Sequence, residues 1–369
     1  MKILISGGGT GGHIFPAVAV ADALREINPE CEILFIGAEG KMEMEKIPKA
    51  GYKIIGLPIR GLQRKLSLTN LKVPFQLIIS FLKVRKVIAG FQPDIAFGTG
   101  GYASAPALKM AQWMKVPTAI LESNNHPGLV NKMLARSVEK VFVAFQDMQR
   151  FFPEEKILLT GNPIRKDIRS ILYYQEEAKR FFDWGQSKKT LLIFGGSLGA
   201  RTINLAVRDA VDFFKRRPDI FVIWQTGKND AAFLESETAK LPNVKAMQFI
   251  DRMELAYSLA DLVICRAGAL TISELSVVKK PAVLVPSPNV AEDHQTKNAA
   301  YLEIRDAAIM VRDEKVSKEL IEKVEDLIDD DKKLKILSEN IAKEGRENAA
   351  TEIAQFLLQM IKDKKVKKS

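Results

Sequence analysis

KILISGGGTGGH at Lys2–His13 and TLLIFGGSLGAR at Thr190–Arg201 follow one plan: an apolar strand, a glycine-rich turn and the opening of a helix. Short apolar runs follow the first at Glu32–Gly37, Asp94–Gly98, Pro117–Glu122 and Lys140–Ala144. Others follow the second at Ile220–Gln225, Val244–Phe249, Asp261–Cys265, Ala282–Val285 and Ala307–Val311. Val/Ile/Leu/Phe runs separated by helical stretches specify parallel strands covered on both faces, so the expected class is α/β with two doubly wound sheets. TGNPIR, Thr160–Arg165, carries turn residues and a proline, which places a linker near Gly161–Pro163. The expected division is residues 1–162, residues 163–345, and residues 346–369 as a closing helix with a basic tail. A cleft between the two domains is the expected ligand site.

A chain of 369 residues is long enough for two domains, each with its own core. Hydrophobic residues make up 47% and charged residues 27%, which excludes disordered and fibrous classes. The two cysteines, Cys31 and Cys265, lie far apart, so neither a disulfide framework nor a zinc cluster is expected and a reducing, cytoplasmic setting fits. Met1 leads straight into a strand, without the apolar core of a secretion signal. The most apolar long stretch, Val73 to Ala89, is broken by Lys83, Arg85 and Lys86 and suits a membrane surface rather than a span. The net charge of +10 favours an anionic partner, whether phosphates, nucleic acid or acidic lipid. The charged run Glu325–Lys333 and the lysine-rich tail Lys362–Ser369 read as solvated surface.

Five of the six residues from Gly7 to Gly12 are glycine, more than a tight turn requires. Glycines let backbone N–H groups approach a ligand, and the next helix, expected to start near Pro16, turns its positive end to an anion. The string also satisfies G-x-G-x-x-G, and Glu39 lies just past the second strand, so a nicotinamide-dependent oxidoreductase is a rival reading. A non-catalytic nucleotide-sugar sensor is another. His13, following the glycines, is a candidate general base. The turn Gly195–Arg201 offers a second anion site. In CRAGALTISE, Cys265–Glu274, Thr271 and Ser273 suit either a helix cap or phosphate oxygens. Glu274 suits either ribose hydroxyls or a capping box with Thr271. Asn124, Asn125, Gln295 and Asn298 are further polar candidates in strand-to-helix loops. No D-x-D pair follows a strand, and no metal site is expected.

GGGTGGH (Gly7–His13), GTGGYASAP (Gly98–Pro106), GNPIR (Gly161–Arg165), GGSLGAR (Gly195–Arg201), CRAGALTISE (Cys265–Glu274) and DHQTKNA (Asp293–Ala299) occur in this order. Together they resemble the MurG family, bacterial glycosyltransferases that add N-acetylglucosamine to lipid I in peptidoglycan synthesis, along almost the whole chain. The resemblance implies a GT-B fold of two Rossmann-like domains. UDP-N-acetylglucosamine is then held mainly by the C-terminal half and the lipid acceptor approaches the N-terminal half, with no cofactor and no nucleic acid. By motif, the implied substrate contacts are Thr10, Gly11, Gly12, Asn124, Arg165, Ser197, Ile250, Ala269, Leu270, Thr271, Glu274 and Gln295, Ile250 meeting the uracil through its backbone. Relatives often read HEQN where this chain has Leu121-Glu122-Ser123-Asn124, so a catalytic histidine is excluded there. Leu198 stands where relatives are often polar.

The implied reaction is attack by the C4 hydroxyl of the muramic acid unit on the anomeric carbon, with inversion and loss of UDP. His13 is the candidate base and Glu122 the second choice. A sugar-nucleotide epimerase on the same fold is the nearest rival. Reaching a lipid-linked acceptor implies peripheral attachment to the cytoplasmic face of the membrane, an anionic surface. Val73, Phe75, Leu77, Ile78, Phe81, Leu82 and Val84, beside Lys72, Lys83, Arg85 and Lys86, offer such a surface, with Trp113 and Lys115 as neighbours. The competing reading is that the apolar members pack the core.

Overall fold

The computed structural model describes residues 1–59, 73–185, 187–196, 198–228 and 241–366. The chain forms two compact units, Met1–Ile164 with Arg346–Ser369, and Arg165–Gly345.

In the first unit, β1 (Lys2–Gly7), β2 (Glu32–Ala38), β3 (Lys53–Leu57), β4 (Ile95–Gly100), β5 (Thr118–Glu122), β6 (Lys140–Val143) and β7 (Ile157–Leu159) form one sheet. Its order is β3-β2-β1-β4-β5-β6-β7, every pairing parallel. Its helices are α1 (Gly11–Ile27), α2 (Glu43–Lys49), α3 (Val73–Phe91), α4 (Ser104–Trp113) and α5 (Leu129–Ala135). Successive strand side chains alternate between faces: Ile3 and Ile5 join a core with Ile14, Val20 and Leu24 of α1, while Leu4 joins one with Val84 and Ile88 of α3 and Leu108 of α4.

The second unit pairs β8 (Lys189–Phe194), β9 (Ile220–Gln225), β10 (Val244–Met247), β11 (Leu262–Cys265), β12 (Ala282–Leu284) and β13 (Ile309–Met310) in the order β10-β9-β8-β11-β12-β13, again all parallel. Its helices are α6 (Gln175–Phe182), α7 (Arg201–Asp209), α8 (Val211–Arg216), α9 (Met253–Leu259), α10 (Ala269–Val278), α11 (His294–Glu303), α12 (Val316–Ile328) and α13 (Asp331–Ala342). The last helix, α14 (Ala349–Val366), returns to the first unit, where Ile353, Leu357 and Ile361 share the core of α1.

The α/β doubly wound class is as expected from the apolar runs. In each sheet the strand order reverses once, between β1 and β4 and between β8 and β11, and a crevice opens there at the carboxyl ends of the strands. The two matching motifs leave β1 and β8, so each opens at such a point.

One boundary is corrected. The first helix starts at Gly11, not near Pro16: Thr10 is its N-cap, and its carbonyl accepts from His13 N–H at 3.1 Å and Ile14 N–H at 3.2 Å. Pro16 lies inside the helix and withholds the N–H that the Gly12 carbonyl would otherwise receive. His13 therefore sits in the first helical turn.

Candidate functional site

In the first unit, the turn from β1 to α1 rests on Glu43, a fully buried carboxylate in the first turn of α2. It accepts from Gly9 N–H at 2.9 Å and from Ala38 N–H at 3.0 Å. A Cβ on Gly8 would overlap this carboxylate, and one on Gly37 would lie 2.6 Å from its Cγ, so both positions must stay bare. The Gly8 N–H points to the Gly100 carbonyl at 3.3 Å. The expectation that the whole glycine loop cradles an anion is thus narrowed: a carboxylate lies beneath Gly8 and Gly9, and the amides that open the helix, those of Thr10, Gly11 and Gly12, remain to meet a ligand. This also weakens the nicotinamide reading, whose pyrophosphate would meet that carboxylate. Glu39, its proposed ribose acid, pairs with Lys83 at 3.0 Å.

His13 is pinned to the end of β4. Its Nδ1 lies 2.8 Å from the Thr99 carbonyl oxygen, and the Thr99 hydroxyl donates to the His13 carbonyl at 2.7 Å. A carbonyl only accepts, so Nδ1 carries the proton and Nε2 of the neutral ring carries the lone pair. Gly100, at φ +107°, makes room: a Cβ there would lie 2.7 Å from the ring. In GTGGY this is the part of Gly100 alone, since Gly98 makes room for Leu108 and Gly101 for the Gly8 backbone.

Glu122 ends β5 and is buried. One carboxylate oxygen accepts from Asn124 N–H at 2.9 Å and Asn124 Nδ2 at 3.3 Å; the other accepts from Gly128 N–H at 3.2 Å and Asn131 Nδ2 at 2.8 Å. Burial pushes its carboxyl above the ordinary range against these bonds. The geometry is that of a group around which the loop to α5 is folded, Asn124 included. Asn125 accepts from Arg150 Nη2 at 2.9 Å through its side-chain oxygen and holds the same loop.

In the second unit, α10 begins at Ala269 with Gly268 at the N-cap. Thr271 is therefore the third helical residue and no cap, and the alternative in which Glu274 closes a capping box with it is excluded. Glu274 instead accepts from the Tyr257 hydroxyl at 3.1 Å. Burial pushes its carboxyl up to about 7, opposed by the charge of Arg165 and by the Tyr257 bond. Ser273 donates to the Ala269 carbonyl at 3.0 Å, a bond back onto its own helix. The amides of Ala269, Leu270 and Thr271 form the positive end of α10.

Gln295 accepts from Ser287 N–H at 2.8 Å through its oxygen, which leaves its amide nitrogen as the donor end. Asn298, fully buried, donates to the Ala267 carbonyl at 3.3 Å and holds the turn before α10. Ile250 is buried, and its N–H is taken by the Gln225 side-chain oxygen at 2.9 Å, so a backbone contact to a base falls to its carbonyl alone. Arg165 lies 3.9 Å from Asp167. Ser197 lies outside the described residues.

The first unit thus gathers Thr10, Gly11, Gly12 and His13 at the β1–β4 reversal, with Glu122 and Asn124 at the end of β5 on the same sheet edge. The second carries Arg165, Ile250, Ala269, Leu270, Thr271, Glu274 and Gln295. Sequence reasoning missed Glu43, Thr99, Tyr257 and Gln225. Only the crowding of glycines at Gly8, Gly37 and Gly100 signals the first two.

The glycosyltransferase family 28 N-terminal domain matches residues 3–143 and the family's C-terminal domain matches residues 190–353. A UDP-N-acetylglucosamine--N-acetylmuramyl-(pentapeptide) pyrophosphoryl-undecaprenol N-acetylglucosamine transferase of Phocaeicola vulgatus is 49% identical over 363 residues, 98% of this chain and 96% of that one. The protein of the same name from Flavobacterium psychrophilum is 43% identical over 364 residues, 99% of each. Among solved structures, Acinetobacter baumannii MurG matches with a TM-score of 0.77 at 26% identity, covering 97% of this chain and 99% of that one. UDP-GlcNAc 2-epimerase from Neisseria meningitidis, bound to UDP-GlcNAc, matches with a TM-score of 0.68 at 17% identity over 97% and 100%, a likeness of fold alone.

Proposed function

The chain belongs to the MurG family within glycosyltransferase family 28, and from that premise we infer that it moves N-acetylglucosamine from UDP-N-acetylglucosamine to lipid I, giving lipid II and UDP in peptidoglycan synthesis. The observation that carries this is the 49% identity along 98% of the chain to a transferase of that name. The epimerase alternative has only a shared fold in its favour.

The finer mechanism is our own reading. In the second unit the diphosphate faces the amides of Ala269, Leu270 and Thr271, and the positive end of α10 stabilises charge on the departing UDP. Glu274 accepts from the ribose hydroxyls, the Ile250 carbonyl accepts from the uracil N3–H, and Gln295 and Arg165 add donors. In the first unit, the amides of Thr10, Gly11 and Gly12 and the Asn124 side chain contribute substrate contacts. His13 Nε2 takes the proton of the C4 hydroxyl as that oxygen bonds the anomeric carbon, while the bond to the phosphate oxygen breaks and its electron pair leaves with UDP. The Thr99 carbonyl steadies the imidazolium that forms. Glu122 is assigned to holding the Asn124 loop. Incubation with UDP-N-acetylglucosamine and a lipid I analogue, with the product read by proton NMR, tests the stereochemistry: a β-1,4 linkage is expected, and an α linkage would refute inversion.

We propose peripheral attachment to the cytoplasmic membrane face; α3 supports attachment to a membrane surface. Phe75, Ile78, Ile79 and Leu82, spaced as one helical stripe, are each more than half exposed, while Ser80, Val84 and Ile88 are buried. Trp113 of α4 is 61% exposed and stacks on Phe81 at 5.1 Å. Val84 is thus core, and Leu77 and Phe81 are half-buried. Lys83, Arg85 and Lys86 flank the stripe; Lys72 lies outside the described residues. Lys364 of α14 donates to the Lys115 carbonyl at 2.8 Å, bringing a tail cation close to Trp113. Among the described residues no helix is long and apolar enough to cross a membrane.

A further inference from the structure

Gln225 ends β9 with its side chain buried, 2% exposed, beneath the Ile250 loop that the mechanism uses and the Gly195–Gly196 turn beside it. Its strand lies between β8 and β10, opposite Phe194 on one side and Met247 on the other. Phe194 is followed by Gly195 and Gly196, the turn that leads to α7. Met247 is followed by Gln248, Phe249 and Ile250. The side chain bridges both exits: Nε2 donates to the Gly196 carbonyl at 3.0 Å and Oε1 accepts from Ile250 N–H at 2.9 Å.

The orientation of the amide is settled by its partners, because one end meets an acceptor and the other a donor. A carboxylate of the same shape fills only the Ile250 end and sets its second oxygen against the Gly196 carbonyl. An apolar side chain fills neither and leaves a buried carbonyl and a buried N–H unpaired.

We propose that Gln225 is a positioning residue for the donor, fixing the Ile250 loop, whose carbonyl meets the base, against the Gly195–Gly196 turn at the carboxyl end of the same sheet. This rests on the donor reading above. Gln225 acts through those loops and leaves the proton transfer to His13.

The test compares wild type, Gln225→Glu and Gln225→Met by calorimetric titration with UDP, steady-state kinetics with UDP-N-acetylglucosamine and a lipid I analogue, and melting curves. Wild type binds UDP. Both variants, folded, bind it about tenfold or more weakly, and KM for the donor rises by a similar factor, while kcat and KM for the acceptor stay within about twofold. Wild-type UDP affinity in either folded variant overturns the proposal. So does a fall in kcat that tracks a lost folded fraction with donor KM unchanged, the mark of a purely structural role. Should the buried charge of Gln225→Glu prevent folding, Gln225→Met decides by the same comparison. A wild type that does not bind UDP overturns the donor reading itself and the proposal with it, a result distinct from equal binding by all three.

Discussion

At the residue scale, a single carbonyl selects the chemistry of His13: Thr99 offers the ring an acceptor, so the lone pair must reside on Nε2. His13→Ala should lower kcat by about 10²–10⁴ with donor affinity near wild type. Near-normal turnover would remove the imidazole from the mechanism. Glu274 makes a prediction in pH. It is held up to about 7 from an ordinary 4.5, so between these values the folded chain keeps a proton that the unfolded chain has released. Stability contributed by this group is therefore present below about 4.5 and lost as pH rises through about 7. Gln has no such titration, so the melting temperature of Glu274→Gln should gain on wild type between pH 5 and pH 8. UDP binding, which needs the ionised acceptor, should weaken in wild type as pH falls below about 7. Glu274→Ala should weaken UDP-N-acetylglucosamine binding by about 1.5–3 kcal/mol, the scale of hydrogen bonds to a charged group. Calorimetric titration across pH checks both, and pH-independent affinity would refute the ribose role. His13 and Glu274 stand out in the sequence as candidates because each lies in a short motif after a strand. Glu43 and Tyr257 do not, since Gly9 lies 34 residues from the first and Glu274 17 residues from the second, and only folding reveals the pairing.

At the element scale, apolar runs disclosed most strands because a strand buried on both faces has no polar alternation to confuse it. The strands β3 and β7 escaped: one is an edge strand interrupted by Gly56, and the other is only Ile157–Leu159. The start of α1 was misplaced because a proline signals a first turn, whereas the N-cap here is Thr10 with no side-chain cap bond among the described residues. For α3, composition left two readings open, membrane face or core, and the helix carries an exposed apolar stripe on one side and buried core residues on the other. Phe75, Ile78 and Leu82 replaced together by serine should give a folded protein that still binds UDP but no longer sediments with anionic vesicles. Phe81 stays untouched, since its stack on Trp113 would confound the result. Unaltered sedimentation would move the attachment surface elsewhere.

At the scale of the whole molecule, the chain closes its first unit with its last helix. Ile353, Leu357, Leu358 and Ile361 are buried in the core beside α1. At roughly 1.5–3 kcal/mol per buried aliphatic side chain, their removal withdraws about 6–12 kcal/mol, comparable to the whole stability of a domain. Truncation after Gly345 should therefore unfold the first unit and abolish transfer while UDP binding by the second persists, as read by calorimetry and hydrogen exchange. Loss of UDP binding as well would tie the two units' stabilities together. The repeated opening motif announced two like sheets, but the return of α14 was hidden, because its charged outer face reads like any solvated tail. Transfer to a lipid-linked acceptor with His13 as base can be checked in one reaction. UDP-N-acetylglucosamine is incubated with and without a lipid I analogue, using wild type and His13→Ala, and UDP and disaccharide are quantified together. Wild type should give equal amounts of UDP and disaccharide, only with acceptor present, and the variant should lose both. UDP-sugar epimerisation or UDP release without acceptor, or disaccharide formation undiminished in the variant, would contradict this mechanism.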